Sequence, residues 1–270
     1  MMLGRIFGAL AAAALAPAGS QAPVVPVSLI PEVVVARPGT SFRVAVRIDV
    51  PEGWHIGWKH PGQTGLPTTI AWRVPPEISV GATAWTLPER AESAGVVSHV
   101  YRGDVLLTTS FTVDAEARPG PARMIAELRW GLCREICIQQ EREVGLTIPI
   151  VSATQAPEAA PDWASVAELL DERIPVPPHD AGLRAVREGG GVRLFVENGR
   201  SAFGGPTSVI YFPEDANRSA VALVSRLRTT EGGLFVPLAV PAGSPISGVL
   251  VLDRSWSPGT RARALSLRLP

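Results

Sequence analysis

The sequence carries no net charge and no run of like-charged residues, its 25 basic residues balancing 25 acidic ones. That removes the electrostatic ground for expecting nucleic acid or an anionic membrane surface as a partner. Downstream of Ala22 it also lacks an uninterrupted apolar stretch long enough to span a bilayer, since even Ile246–Leu252 and Val144–Val151 are broken by Gly or Pro. This predicts a soluble mature protein with no membrane span. There is no Gly-rich phosphate loop after a strand, no Gly-x-Ser-x-Gly elbow and no His-Glu-x-x-His, so nucleotide and hydrolase chemistry have no support and no cofactor is expected. Cysteine is scarce too. With only Cys133 and Cys137 present, a single intramolecular pairing is open.

What is present begins with an export signal. Met1 to Arg5 is a short basic start, Ile6–Ala16 is apolar, and Ala18-Gly19-Ser20-Gln21-Ala22 offers a small-residue cleavage site. Residues 1–22 therefore read as a signal peptide cut near Ala22, and the protein as exported to an oxidising compartment, where a disulfide is permitted. Twenty-six glycines and 26 prolines, with many Val, Thr and Trp, favour strands joined by turns. Ser41–Val50 sets Phe42, Val44, Val46, Ile48 and Val50 against Arg43, Ala45, Arg47 and Asp49, the period of two of a strand with one buried face. Thr69–Val74, Val96–Tyr101, Val105–Val113, Arg123–Trp130 and Glu143–Ile150 read the same way, between turns such as Pro51-Glu52-Gly53, Arg102-Gly103-Asp104 and Pro119-Gly120-Pro121. Residues 23–150 are thus expected to form a mostly β domain, a β-sandwich.

Residues 151–181 read as a linker with one short helix. Asp162 is its candidate N-cap, Trp163, Val166, Leu169, Leu170 and Ile174 lie at helical spacing, and Pro175 to Pro178 stops it. The helix should pack on one domain as a connector. Strand signals resume at Val192–Val196, Ser208–Phe212, Ala220–Leu227, Leu234–Val240, Val249–Leu252 and Arg263–Leu269, predicting a second, smaller β domain over 182–270 without cysteine.

Any chemistry must rest on Cys133 and Cys137, placed in Trp130-Gly131-Leu132-Cys133-Arg134-Glu135-Ile136-Cys137 after one candidate strand and before the next. Three intervening residues can bring the Cα atoms within disulfide range. Closing so short a loop removes only about 2 kcal/mol of unfolded-state entropy, a weak staple for a chain able to build its own core. A labile, exchangeable bond suits a short surface loop better, although a structural staple and metal ligation remain open. Arg134 favours a thiolate and Glu135 opposes it. His55 and His60, with the two cysteines and His99, could form a soft Cu(I) or Zn site, but their spacing matches no ligand signature, and no metal is expected. Trp54, Trp58, Trp72, Trp85 and Trp130 read mostly as sandwich core. Three functions follow: a thiol–disulfide electron carrier, a non-catalytic envelope binding module with a structural disulfide, or a copper-handling protein.

Several segments resemble the periplasmic N-terminal region of the DsbD and ScsB thiol:disulfide interchange proteins. They are Gly53-Trp54-His55-Ile56-Gly57-Trp58-Lys59-His60-Pro61-Gly62, Gly65-Leu66-Pro67-Thr68, Tyr101-Arg102-Gly103 and the Trp130–Cys137 segment, in that order. Tyr211-Phe212-Pro213-Glu214 and Ser247-Gly248-Val249-Leu250-Val251-Leu252 are similar to the cysteine-free second domain of ScsB-like proteins. The resemblance implies an immunoglobulin-like first domain and a protein-disulfide-reductase type of electron carrier. Its Cys133/Cys137 pair would take electrons from a membrane-embedded donor and pass them to oxidised periplasmic thioredoxin-fold proteins. It further implies that Cys137 forms the intermolecular disulfide and Cys133 resolves it, under a cap expected in the Trp58–Pro67 loop or at Tyr101. Full-length relatives continue into membrane and thioredoxin-like domains, so either a separate membrane protein supplies the electrons or the chain to Pro270 is part of a longer protein. The signal peptide at one end and the finished strand pattern at the other favour the stand-alone expectation.

Overall fold

The computed structural model describes residues 22–156, 158–196, 208–214, 223–226, 228–230, 233–238, 240, 243–252 and 264–270. The expected signal segment lies outside them, save for Ala22. Ten strands come first: β1 (Val27–Pro31), β2 (Ser41–Val50), β3 (His55–Gly62), β4 (Thr69–Arg73), β5 (Ile78–Trp85), β6 (Glu89–Ser93), β7 (Val96–Tyr101), β8 (Gly103–Val113), β9 (Gly120–Cys133) and β10 (Cys137–Ile150). All pair antiparallel, in two sheets ordered β1-β2-β8-β5 and β10-β9-β3-β7-β6, with β4 also on β9. They face each other as a mostly β, immunoglobulin-like sandwich.

The alternation in β2 does what its period predicts. Phe42, Val44, Val46, Ile48 and Val50 are all buried between the sheets. On the other face, Arg43 donates to Glu32 and Arg47 to Asp104, each bidentate at 2.8–3.2 Å. Trp58, Trp130, Ile56, Leu128 and Leu132 fill the facing sheet's inner side. The chain crosses between sheets at Arg102-Gly103, where Gly103 takes φ 60°, a conformation glycine adopts without penalty.

Helix α1 (Trp163–Arg173) follows, and Asp162 stands at its start without a side-chain cap; its carbonyl instead accepts from the Ser165 hydroxyl. The helix packs Trp163, Val166 and Leu170 onto Ala45 and Leu106, which point outward from the β2/β8 sheet. Each buried aliphatic side chain contributes about 2 kcal/mol. The Leu87 amide donates to the Arg173 carbonyl, closing the far end.

The remaining strands are β11 (Leu183–Glu188), β12 (Gly191–Val196), β13 (Ser208–Pro213), β14 (Leu223–Arg226), β15 (Arg228–Thr230), β16 (Gly233–Pro237), β17 (Ile246–Leu252) and β18 (Ala264–Leu269). They make two further antiparallel sheets, β11-β12-β16-β15 and β14-β13-β17-β18, around a core of Val192, Leu194, Leu234, Leu250, Leu265 and their neighbours. Parts of the expected Ala220–Leu227, Leu234–Val240 and Arg263–Leu269 strands fall outside the described residues. Phe212 and Ala264 leave this core to join that of the first sandwich. Among the described residues no helix is long and apolar enough to cross a membrane.

Candidate functional site

Strands β9 and β10 form a 14-rung ladder from Gly120↔Ile150 to Cys133↔Cys137. The expected strands stopped at Trp130 and began at Glu143; both run on to the cysteines, which form the last rung of a hairpin. Only Arg134, Glu135 and Ile136 make the turn, closed by the Arg134 amide donating to the Ile136 carbonyl at 3.2 Å. Directly opposed residues place their Cβ atoms close together, so the thiols meet without rearrangement. They are joined, with the Cα atoms 4.0 Å apart.

Side-chain alternation decides which way the disulfide points. Ala122, Met124, Ala126, Leu128, Trp130 and Leu132 face the sandwich core, so the odd-numbered residues, including Gly131 and Cys133, lie on the outer face of the sheet. Cys133 is nonetheless only 4% exposed, whereas Cys137 is exposed. A loop crosses the same face next to Cys133. Residues 63–68 return across the outer face, held by the Thr68 amide and hydroxyl donating to the Gly57 carbonyl at 3.2 and 2.6 Å. Leu66 lies over Gly131, the residue before Cys133 on that face. A Cβ on Gly131 would sit 3.0 Å from the Leu66 Cβ, and one on Gly57 only 2.3 Å from the Leu66 carbonyl oxygen. Two glycines therefore form the trough in which the loop rests.

His55 pairs with Cys133 on β3, so His55, Cys133 and Cys137 form one row across three strands. Burial, and then the nearby Arg102 guanidinium, push the imidazole pKa below its ordinary value. His55 is thus neutral at neutral pH. Between the cysteines in sequence, the Arg134 guanidinium lies 5.0 Å from the centre of the Trp54 ring, which holds the cation over that ring. Trp54 is only partly buried, unlike Trp58 and Trp130.

Other expected residues go elsewhere. Tyr101 is buried in the core and donates to the Thr86 carbonyl at 2.7 Å, and burial pushes its phenol pKa well up. It is no cap. His99 is fully buried against Trp58 and Phe212, its Nδ1 2.7 Å from the His60 carbonyl. Among the described residues no three His, Cys, Asp or Glu side chains are grouped to hold a metal. The cap loop and its glycines left one trace in the sequence: a glycine two residues before a cysteine, on the same strand face.

Residues 21–149 match the family model of the thiol:disulfide interchange protein DsbD, N-terminal. No curated protein sequence matches the chain. Among solved structures, the N-terminal periplasmic domain of ScsB from Proteus mirabilis aligns over 94% of this chain and 96% of its own, with a TM-score of 0.53 and 13% identity. The reduced DsbD N-terminal domain of Neisseria meningitidis covers 48% of this chain and 90% of its own, at 18% identity and a TM-score of 0.26. The first likeness extends the shared fold across both sheet pairs. With a cysteine pair closing a hairpin on an immunoglobulin-like sandwich, residues 21–149 belong to the family of DsbD N-terminal domains.

Proposed function

We propose that this protein is a periplasmic thiol–disulfide exchange carrier, which takes electrons from a membrane-embedded donor and relays them to oxidised thioredoxin-fold proteins through Cys133 and Cys137. One observation carries the reading: the two bonded cysteines are unequally accessible, Cys137 exposed and Cys133 buried. A structural staple needs no such asymmetry. An exchange pair uses it, because the exposed thiolate attacks the partner's disulfide and the sheltered thiol then resolves the mixed disulfide. Cys137 is the attacking residue in this scheme and Cys133 the resolving one. Between the two cysteines, Arg134 favours the Cys137 thiolate of the reduced protein and Glu135 opposes it. Periplasmic placement rests on the family and on the export signal of residues 1–22.

Cys133→Ser should accumulate a covalent adduct with an oxidised thioredoxin-fold protein, visible on a non-reducing gel and lost on adding dithiothreitol. Cys137→Ser should accumulate none. The Cys133–Cys137 couple should equilibrate with glutathione buffers. A reduction potential below about −300 mV would mark an ordinary structural disulfide and end the proposal.

A further inference from the structure

We infer that His55 is the proton acceptor for the Cys133 thiol during resolution of the mixed disulfide. This rests on the exchange function proposed above and adds a residue to it. The geometry is the row across β3, β9 and β10, in which His55 stands directly opposite Cys133 while Cys137 stands opposite on the other side. Side chains at paired positions share a face, with Cβ atoms about 5 Å apart. Cys133 has a base on one flank and the sulfur it must attack on the other.

The need for a base follows from burial. A thiol at 4% exposure pays desolvation to become a thiolate, and only the thiolate attacks. The groups facing His55 are Cys133 from β9 and Arg102 from the end of β7, itself paired with Glu89 at 2.8 Å. The cysteine turn adds Arg134 and Glu135, while the cap residues Gln63 to Thr68 are uncharged. Burial, and after it Arg102, keep the imidazole unprotonated at neutral pH, ready to accept.

The step balances as follows. The Cys133 S–H proton passes to the His55 imidazole, and the thiolate attacks Cys137 Sγ. The bond from Cys137 to the partner's sulfur breaks, the Cys133–Cys137 bond forms, and the partner's sulfur leaves with the electron pair as a thiolate. The imidazolium then gives its proton to that thiolate or to water. Two protein thiols are oxidised and one partner disulfide is reduced.

Reduced protein mixed with one equivalent of dithiobis(nitrobenzoate) separates the two steps. Capture of Cys137 releases a first coloured thiolate at a rate that depends on reagent concentration, and Cys133 releases a second at a rate that does not. His55→Gln should leave the first phase unchanged and slow the second by about tenfold or more at neutral pH, with partial rescue by added imidazole. Arg102→Ala should move the pH midpoint of the second phase upward without lowering its plateau. A wild-type second phase in His55→Gln overturns the inference alone, as does a slowed one with an unchanged pH profile and no rescue. If the wild type releases no second equivalent, the exchange function itself fails and the inference with it.

Discussion

Gly57 and Gly131 carry no side chain where the outer face of the sheet must accept Leu66. At Gly57 the obstacle to a methyl group is a backbone carbonyl oxygen 2.3 Å away, which cannot swing aside as a side-chain tip can. Gly57→Ala must therefore lift the loop, at a stability cost of about 1–3 kcal/mol typical of overpacking. The chemical consequence is more specific than the loss of stability. With the loop displaced, the Cys133–Cys137 bond should be reduced faster by dithiothreitol, and Cys133 in the reduced protein should be alkylated faster by iodoacetamide. A variant destabilised as expected but with both rates at wild-type level would remove the loop from any shielding role. Asp104 shows a second dependence at this scale. Its hydrogen bonds from Arg47 hold its carboxyl below the ordinary carboxylate range, so its stabilising effect is complete above that range. It is lost as pH falls through the depressed value. Asp104→Asn should flatten the acid limb of a urea-midpoint titration, and an unchanged limb would show that the Arg47 pair contributes nothing.

At the scale of elements, the strands legible in the sequence were those with alternation or a β-branched run between turn residues. Ser41–Val50 and Val96–Tyr101 matched β2 and β7 to the residue. In β2 one face meets the sandwich core while Ser41, Arg43, Arg47 and Asp49 keep the other polar around Ala45, and β7 is a β-branched and aromatic run bounded by turn residues. Strand β3 was not legible: Gly57, Pro61 and Gly62 are turn residues by propensity, and only the returning cap loop and the shifted register against β7 explain their presence in a strand. The hairpin was half legible. Ile138 to Arg142 alternate too weakly in polarity to announce a strand, since one face of β10 is exposed and the other only partly covered. The cysteine pair was visible as the only possible site, but its placement on a ladder rung, and with it the His55 row, required β3 and the extended hairpin. Helix α1 was legible through its apolar spacing, and its role can be tested. Leu170 is buried against the outward side of the β2/β8 sheet, so Leu170→Ala should cost about 2–5 kcal/mol in urea unfolding. A cost under about 1 kcal/mol would mean the helix is laid on the sheet without stabilising it.

For the whole molecule, the two sheet pairs share one cluster. Phe212 from β13 meets Trp58 and His99 edge-on, with ring centroids 6.2 and 5.3 Å apart, and beside it Lys59 and Glu214 form an ion pair at 2.6 Å. The linker itself is tied to β18 of the second pair by two backbone bonds, from the Val176 amide to the Ala264 carbonyl and from the Ser266 amide to the Val176 carbonyl. The Tyr-Phe-Pro-Glu segment thus acts as a plug from the second sheet pair into the first. It also buries a titratable group. Desolvation leads the causes that hold the His99 pKa below its ordinary value; the His60 carbonyl opposes it, and the His60 and Arg90 charges reinforce it. A depressed histidine pKa means the folded state disfavours the proton. His99 therefore stabilises fully above its ordinary pKa near 6.5, and that contribution drains away as pH falls toward the depressed value. His55 acts in the same direction, so the slope between about pH 7.5 and pH 5 is shared, and a variant at the plug is needed to divide it. Phe212→Ala should lower stability by about 3–5 kcal/mol and, by admitting water to His99, should also make the remaining stability less dependent on pH across that window. Urea midpoints at the two ends of the window measure both effects at once. If Phe212→Ala lowers the midpoints equally at both pH values, His99 does not owe its neutrality to the plug, and the second sheet pair is attached to the first without governing its response to acid.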